Sequence, residues 1–225
     1  MLVGIVGGTG PAGRALGARL AAAGCSVVLG SRDAARAGAA AQEIRAQWPG
    51  LDLEITGGLN EEAAQAEIVV IATVWDAAVP TAVSLAPALA GRVVVSMANA
   101  ISRVGPEFQA LVPARGSIAA TIQAAVPQAR VAAAFQHLPA GRLGQLDRSI
   151  EADVLVCADD EGAGEATARL VETIPGLRAV RAGSLAAASA VEELTAVLVN
   201  VNVRYRAHTT LHLAGLPPRQ EGTKR

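Results

Sequence analysis

The sequence predicts an α/β fold built on a doubly wound parallel sheet, and three observations predict it. Strand-like apolar runs alternate with helix-like runs along most of the 225 residues. Several runs, such as Ile68-Val-Val-Ile-Ala72 and Arg92-Val-Val-Val-Ser96, are apolar without alternation, the pattern of a strand buried on both faces. The chain opens on Leu2–Val6, a turn Gly8-Thr9-Gly10-Pro11-Ala12-Gly13, a helix-like run and then Ser26–Gly30. That order of strand, glycine turn, helix and strand is what a dinucleotide requires. Together these predict a Rossmann-type sheet with a small C-terminal helical part.

Strands are expected near 2–6, 26–30, 52–56, 67–73, 92–96, 130–135, 153–157 and 177–181. Helices are expected near 11–23, 33–47, 77–89, 115–125 and 161–173, with a long one near 184–203. Residues 1–140 are read as the dinucleotide-binding domain and 141–225 as a smaller C-terminal part. Pro217 to Arg225 reads as a frayed end.

Each residue of the glycine turn has a physical task. Gly8 permits the bend, Gly10 lets the backbone approach a pyrophosphate, and Gly13 lets the helix lie close on the strand. The free amides at the helix start, around Ala12, then face the phosphates. The second strand ends on Gly30-Ser31-Arg32, where an NAD enzyme would carry Asp or Glu for the ribose hydroxyls. A hydroxyl and a guanidinium suit a phosphate better, and Arg36 follows Arg32 by one helical turn. Ser31, Arg32 and Arg36 are therefore read as a clamp for an adenosine 2′-phosphate, which favours NADP(H) over NAD(H). Asp33 could still hold a ribose, and the plainer alternative is Ser31 as a helix cap beside surface arginines.

In such a sheet the ligand crevice lies at the carboxyl ends of strands one and four. Four turns should converge there. They are Gly8–Gly13, Thr73-Val74-Trp75, Ser96-Met97-Ala98-Asn99 and Gln136-His137-Leu138-Pro139-Ala140. The first binds phosphates, and the others line the nicotinamide and its redox partner. Trp75 offers a flat wall, or else plugs the core edge. Trp75, Asn99, Gln136 and His137 are candidates to position the rings.

Composition excludes several classes. A net charge of −1 and 2% aromatic residues leave neither a basic field nor stacking platforms for nucleic acid. Apolar runs are strand-length, far short of a membrane span. A strand opening at Leu2 predicts no signal peptide, hence a cytoplasmic protein, and Cys25 and Cys157 read as buried thiols. The only lysine is Lys224, and the only tyrosine, Tyr205, has Thr209 four residues on. No Tyr-x-x-x-Lys pair, Schiff-base lysine or lysine relay is therefore available. His208 and His212 stand at metal-pair spacing without a third ligand, so no metal is expected. A hydride acceptor that needs no side-chain acid would fit, because a flavin-like ring carries its own electronics.

The segments Val6–Gly13 and Gly30-Ser-Arg32 resemble those of NADPH-dependent coenzyme F420 reductases. So do Val74-Trp75, Leu138-Pro-Ala140, Asp153–Asp160, Gly183-Ser-Leu185, Val191-Glu-Glu-Leu-Thr195, Arg204-Tyr-Arg206 with His208, and Leu213–Pro217. The resemblance spans nearly the whole chain. It implies hydride exchange between NADP(H) and the deazaflavin F420, with Thr9 and Gly10 near the pyrophosphate and Ser31, Arg32 and Arg36 near the 2′-phosphate. It also implies a C-terminal part that completes the deazaflavin site. Members often carry His at the position of Gln136, and the Ser96–Asn99 turn differs too. The anionic tail of F420 would need positive charge, for which Arg142, Arg204 and Arg206 are candidates. Direct transfer leaves no catalytic side chain and makes His137 a positioning residue. Two other classes stay open: an NADP-dependent reductase of a small imine or carbonyl, and a non-catalytic NADP(H) sensor. The apolar run Leu185–Val203 exceeds what one helix face buries, which with the resemblance predicts a homodimer.

Overall fold

The computed structural model describes residues 1–216. The stretch 217–225, read above as a frayed end, lies outside the described residues. Strands β1 (Leu2–Val6), β2 (Ser26–Ser31), β3 (Ile55–Leu59), β4 (Ile68–Ile71), β5 (Val93–Ser96), β8 (Arg130–Ala133), β9 (Ala152–Ala158) and β10 (Leu177–Gly183) form one sheet. Its order is β10-β9-β8-β5-β4-β1-β2-β3, so the strand order reverses between β1 and β4. A separate hairpin joins β6 (Ile101–Val104) to β7 (Glu107–Ala110).

The helices are α1 (Pro11–Ala22), α2 (Ala34–Gln47), α3 (Asn60–Ala63), α4 (Trp75–Ser84), α5 (Ala86–Leu89), α6 (Ile118–Ala125), α7 (Ala140–Leu143), α8 (Glu161–Thr173) and α9 (Ala188–Tyr205). Strand residues alternate between two cores. Val3, Ile5, Ile68 and Val70 join Leu16, Leu20 and Ile44 on one face. Val6, Val69, Ile71 and Val94 join Ala78, Ile122 and Leu185 on the other. This two-sided burial, set by the period of two along each strand, is why the strands read as continuous apolar runs. Leu16 and Leu20 of α1 are fully buried, worth about 3–6 kcal/mol together for seating that helix.

The parallel arrangement holds for six strands. β9 meets β8 antiparallel through Ala132↔Ala158 and Ala133↔Cys157, and β10 follows β9 in parallel. A fully apolar strand has the same pattern read in either direction, so its polarity is not legible in the sequence. β3 runs from Ile55 to Leu59 rather than near 52–56, because Gly57 and Gly58 are paired to Leu29 and Gly30 of β2. A Cβ on Gly57 would lie 2.1 Å from the Ala37 carbonyl, so α2 crosses directly over it. The helix expected over 77–89 divides into α4 and α5 around Leu85, with Pro87 in the first turn of α5.

Hairpin β6–β7 and the short helices α3 and α7 were not anticipated. The hairpin turns at Gly105, whose φ is +60°. Its backbone is gripped by Asn200 of α9, which accepts from Phe108 N and donates to Phe108 O, both at 2.7 Å. That support comes 92 residues downstream, beyond any local pattern. Among the described residues no helix is long and apolar enough to cross a membrane.

Candidate active site

The strands β1, β4, β5 and β8 are parallel neighbours, so the turns after them meet at one edge. Backbone bonds tie the turns in sequence. Ala72 N donates to Val6 O at 2.9 Å, Met97 N to Ile71 O at 3.2 Å, and Ala134 N to Ser96 O at 3.1 Å. Asn99 Nδ2 then donates to Gln136 O at 2.8 Å. At the far end Ala140 shares a cleft of about 320 Å³ with Pro11 and Arg14 of α1. The structure thus brings together all four turns expected from the sequence.

At the phosphate-type end the glycines do unequal work. A Cβ on Gly13 would lie 2.8 Å from Gly8 Cα, and one on Gly8 would lie 2.7 Å from Ile5 O. These two keep α1 close on the sheet. Around Gly10 the nearest atoms to an added Cβ are Gly7 O at 3.6 Å and Ala72 O at 3.9 Å, ordinary contacts that leave room for it. Helix α1 starts from Gly10 with Pro11 at its first position, no side-chain cap and no acid in its first turn. Its first amides, with half-buried Thr9 and Ala12 beside them, are left to an anion. Asn60 was missed by sequence reasoning: its Oδ1 accepts from Gly7 N at 3.1 Å and fixes the start of the turn.

At the second strand, Asp33 caps α2, with Oδ1 accepting from Ala35 N at 2.9 Å and Arg36 N at 3.2 Å. Ser31 Oγ is buried and accepts from Asp33 N at 3.2 Å. The cap is therefore Asp33 rather than Ser31, and the carboxylate that could have held a ribose is engaged by helix amides. Arg32 and Arg36 are exposed, and their guanidinium groups have no partner among the described residues.

The opposite end is built from buried side chains. Thr73 Oγ1, Ser96 Oγ, Asn99 Oδ1, Gln136 Oε1, Gln136 Nε2 and His137 Nδ1 are all buried without a hydrogen-bond partner. The one other such side-chain atom among the described residues is Thr167 Oγ1. Each unpaired buried group costs about 1–3 kcal/mol, and six of these seven atoms lie on three adjoining turns. Met97, Ala98 and Leu138 are buried around them, while Pro139 and Ala140 are half-buried. Val74 and Trp75 stand at the opening, 70% and 37% exposed, so Trp75 does not plug the core.

The Gln136 peptide is held from two sides. Phe135, buried with φ +68°, turns the chain sharply after β8. The Gln136 carbonyl accepts from Asn99, and Thr195 Oγ1 of α9 lies 3.5 Å from it while donating to Val191 O at 3.1 Å. One turn earlier on α9, Glu192 is buried and accepts from Ile118 N at 2.9 Å and Ala119 N at 3.3 Å at the start of α6. Burial pushes its carboxyl up to about 7, against the two amides that favour ionisation, with Glu193 adding repulsion. Thr195 and Glu192 were not singled out as site residues; in sequence they do not stand apart from Ser189, Glu193, Asn200 and Asn202 of the same helix.

His137 faces β9, with Nε2 at 2.9 Å from Asp153 O. Burial lowers its pKa, which keeps the ring neutral near pH 7. The Asp153 carboxyl is itself held low by the Arg178 guanidinium at 2.5 Å. His208 and His212 lie apart from this crevice, along a second cleft beside α7. Among the described residues no three His, Cys, Asp or Glu side chains gather in a way that could hold a metal.

Comparison with known proteins agrees with this architecture. Residues 2–100 match the family model for NADP oxidoreductase, coenzyme F420-dependent. The chain is 32% identical to the F420-dependent NADP reductase of Methanothermobacter marburgensis, over 96% of this chain and 100% of that protein. It is 30% identical to the F420-dependent NADP reductase of Methanocaldococcus jannaschii, over 93% of this chain and 96% of that protein. In fold it is similar to the crystal structure of a putative F420-dependent NADP reductase from Arthrobacter sp. FB24. That likeness has a TM-score of 0.76 at 23% identity, over 95% of this chain and 98% of that one. With identity of this order over nearly the full length of both relatives, the chain belongs to the F420-dependent NADP reductase family.

Proposed function

We propose that this protein is an oxidoreductase that transfers a hydride directly between NADP(H) and coenzyme F420. The observation that carries the reading is the cluster of six unpaired buried polar atoms beside an uncapped helix N-terminus, in a chain of this family. Gly8–Gly13 and the amides of α1 hold the pyrophosphate, and Ser31, Arg32 and Arg36 hold the 2′-phosphate. Thr73, Val74, Trp75, Met97, Ala98, Asn99 and Gln136–Ala140 hold the two rings face to face. When bound, the nicotinamide and the deazaflavin supply the hydride chemistry themselves. The chain's part is to bring donor and acceptor carbons to about 3–3.5 Å and to exclude water.

A reductase of imines or carbonyls would need a proton donor at the ring end. His137 is buried, neutral and turned to the Asp153 carbonyl, which leaves that role without a group. The reading extends to a homodimer in the cytoplasm, with 1–140 binding NADP(H) and 141–225 completing the deazaflavin site. Exposed Val197, Val203 and Tyr205 on α9 support a subunit contact there.

The test is a label transfer. With deuterium on the nicotinamide C4, the label is expected at deazaflavin C5 in the reduced product, read by mass spectrometry. Label washed into solvent, or F420 left oxidised, overturns the proposal.

A further inference from the structure

A polar cleft of about 640 Å³ lies outside the crevice, between the loop after α7 and the segment after α9. Its lining includes Arg142, Arg148, His208 and His212 against a single carboxylate, Glu151. The Arg148 guanidinium has no partner among the described residues. Arg142 has only a long 3.5 Å contact with Gln145 Oε1. Two guanidiniums thus line one cleft whose lining holds a single carboxylate.

Both walls are built. Behind the first, the guanidinium of Arg19, on the side of α1 that meets α7, is buried. It donates to the carbonyls of Gln145 at 2.6 Å, Leu143 at 2.8 Å, Arg148 at 3.1 Å and Arg142 at 3.2 Å. Those carbonyls are turned inward, away from the cleft's cations. Behind the second wall, Asp153 N donates to Leu211 O at 2.8 Å, and Leu213 N donates to the Asp153 carboxylate at 2.5 Å. Gly141 joins the walls, since a Cβ there would lie 3.0 Å from the His208 ring.

We propose that this cleft holds the anionic tail of the deazaflavin co-substrate, with Arg142 and Arg148 taking its phosphodiester and glutamate carboxylates; the proposal rests on the F420 reading above. The one-turn helix α7 connects the two places. Its first residue, Ala140, borders the ring crevice, and its third, Arg142, lines the cleft. Two helical residues rise about 3 Å, a distance that the flexible chain between a deazaflavin ring and its phosphate covers. The phosphates of NADP(H) are already accounted for at the opposite end, by α1 and by Arg32 and Arg36. Paired guanidiniums suit phosphodiester and carboxylate oxygens better than ammonium groups do.

The test compares F420 with a deazaflavin that ends at its ribityl chain, using calorimetric dissociation constants for the full-length protein. Wild type is expected to bind F420 at least about tenfold more tightly than the tail-less ring. Arg142→Ala with Arg148→Ala is expected to erase that difference, and to leave the affinities for tail-less deazaflavin and NADPH within about twofold of wild type. Salt should shrink the wild-type preference and leave the double variant unchanged. The Arg19 bonds run to backbone carbonyls, so both substitutions leave the wall standing, and a melting curve like wild type verifies it. Equal binding of the two deazaflavins by wild type overturns the proposal while the F420 reading stands. A tail preference that survives in the double variant overturns it equally, by sending the tail elsewhere. A wild-type protein that binds neither deazaflavin overturns the F420 reading and this proposal together.

Discussion

The two ends of the crevice are made of different material. The phosphate-type end consists of backbone amides, glycines that allow close approach, and two exposed arginines without partners. The ring end consists of buried side chains that give up hydrogen bonds in the free protein. A phosphate carries its charge into any ring of donors, so backbone suffices and the fold can stay relaxed. A flat heterocycle must be read by side chains placed in advance, which leaves polar atoms unpaired until it arrives. One end is thus inexpensive to maintain, and the other keeps a standing strain on stability.

The largest expected effect breaks the first end alone. A Cβ at Gly10 would meet only ordinary contacts, so Gly10→Val should fold with a melting temperature close to wild type yet obstruct the pyrophosphate. NADPH affinity is expected to fall by about a hundredfold or more, roughly 3 kcal/mol. Calorimetry showing wild-type affinity in a folded variant would remove the phosphates from this turn.

Next in size is the buried acid of α9 that holds the start of α6. In the unfolded chain Glu192 ionises near 4.5, and in the folded protein only near about 7. Between those values the folded protein holds a proton that the unfolded chain has released. The stability this provides is full below 4.5 and is lost as pH rises through about 7. The loss is on the order of 3 kcal/mol, from the spacing of the two values. Glu192→Gln should flatten this part of the profile of melting temperature against pH. A wild-type profile that rises across the same window would contradict the assignment.

Arg32→Ala sharpens the contrast in cofactor choice. One charged hydrogen bond to the 2′-phosphate contributes about 1.5–3 kcal/mol, so NADPH should bind at least about tenfold more weakly. NADH should be unaffected, and equal losses for both would dissolve the clamp. The smallest effect is the most diagnostic of the two materials. Gln136→Leu removes a buried carboxamide that pairs with nothing in the free protein, so it should stabilise the fold by about 1 kcal/mol. The same variant should reduce kcat/KM for F420 without changing KM for NADPH. A fall in melting temperature would mean that Gln136 has a structural partner after all.

The difference between the ends also decides what could be read in the sequence. Gly8–Gly13 and Ser31-Arg32 were legible because the phosphate-type end is contiguous in the chain and its spacing is set by one βαβ unit. The turns at Thr73, Ser96 and Gln136 were legible as places, because strands announce where they end. What fills those places was not. Thr195 approaches the Gln136 carbonyl, and Glu192 the start of α6, from a helix whose mixed apolar and polar residues mark neither of them. Asn60 enters from a one-turn helix too short to show a period. The fold followed the same rule. Six parallel strands and α1, α2 and α8 were foreseen from their periodicity, whereas the direction of β9 and the hairpin β6–β7 depend on contacts from far along the chain.

The long reach of Arg19 has a consequence for the order in which the molecule can be made. Its guanidinium sits on the side of α1 that meets α7 and the loop after it, in the first βαβ unit to leave the ribosome. Its four carbonyl partners do not exist until residue 148 has been added. Until then nothing covers the guanidinium, because the segment that buries it is the one that supplies its partners. The nascent first half therefore leaves one side of α1 open to water beside the place where it will later bind a nucleotide. A chain released early, with its glycine turn intact but residues 142–148 missing, should be a poor nucleotide binder and an easy proteolytic target. The arginine ties the quality of the oldest-made part of the protein to the arrival of a much later one.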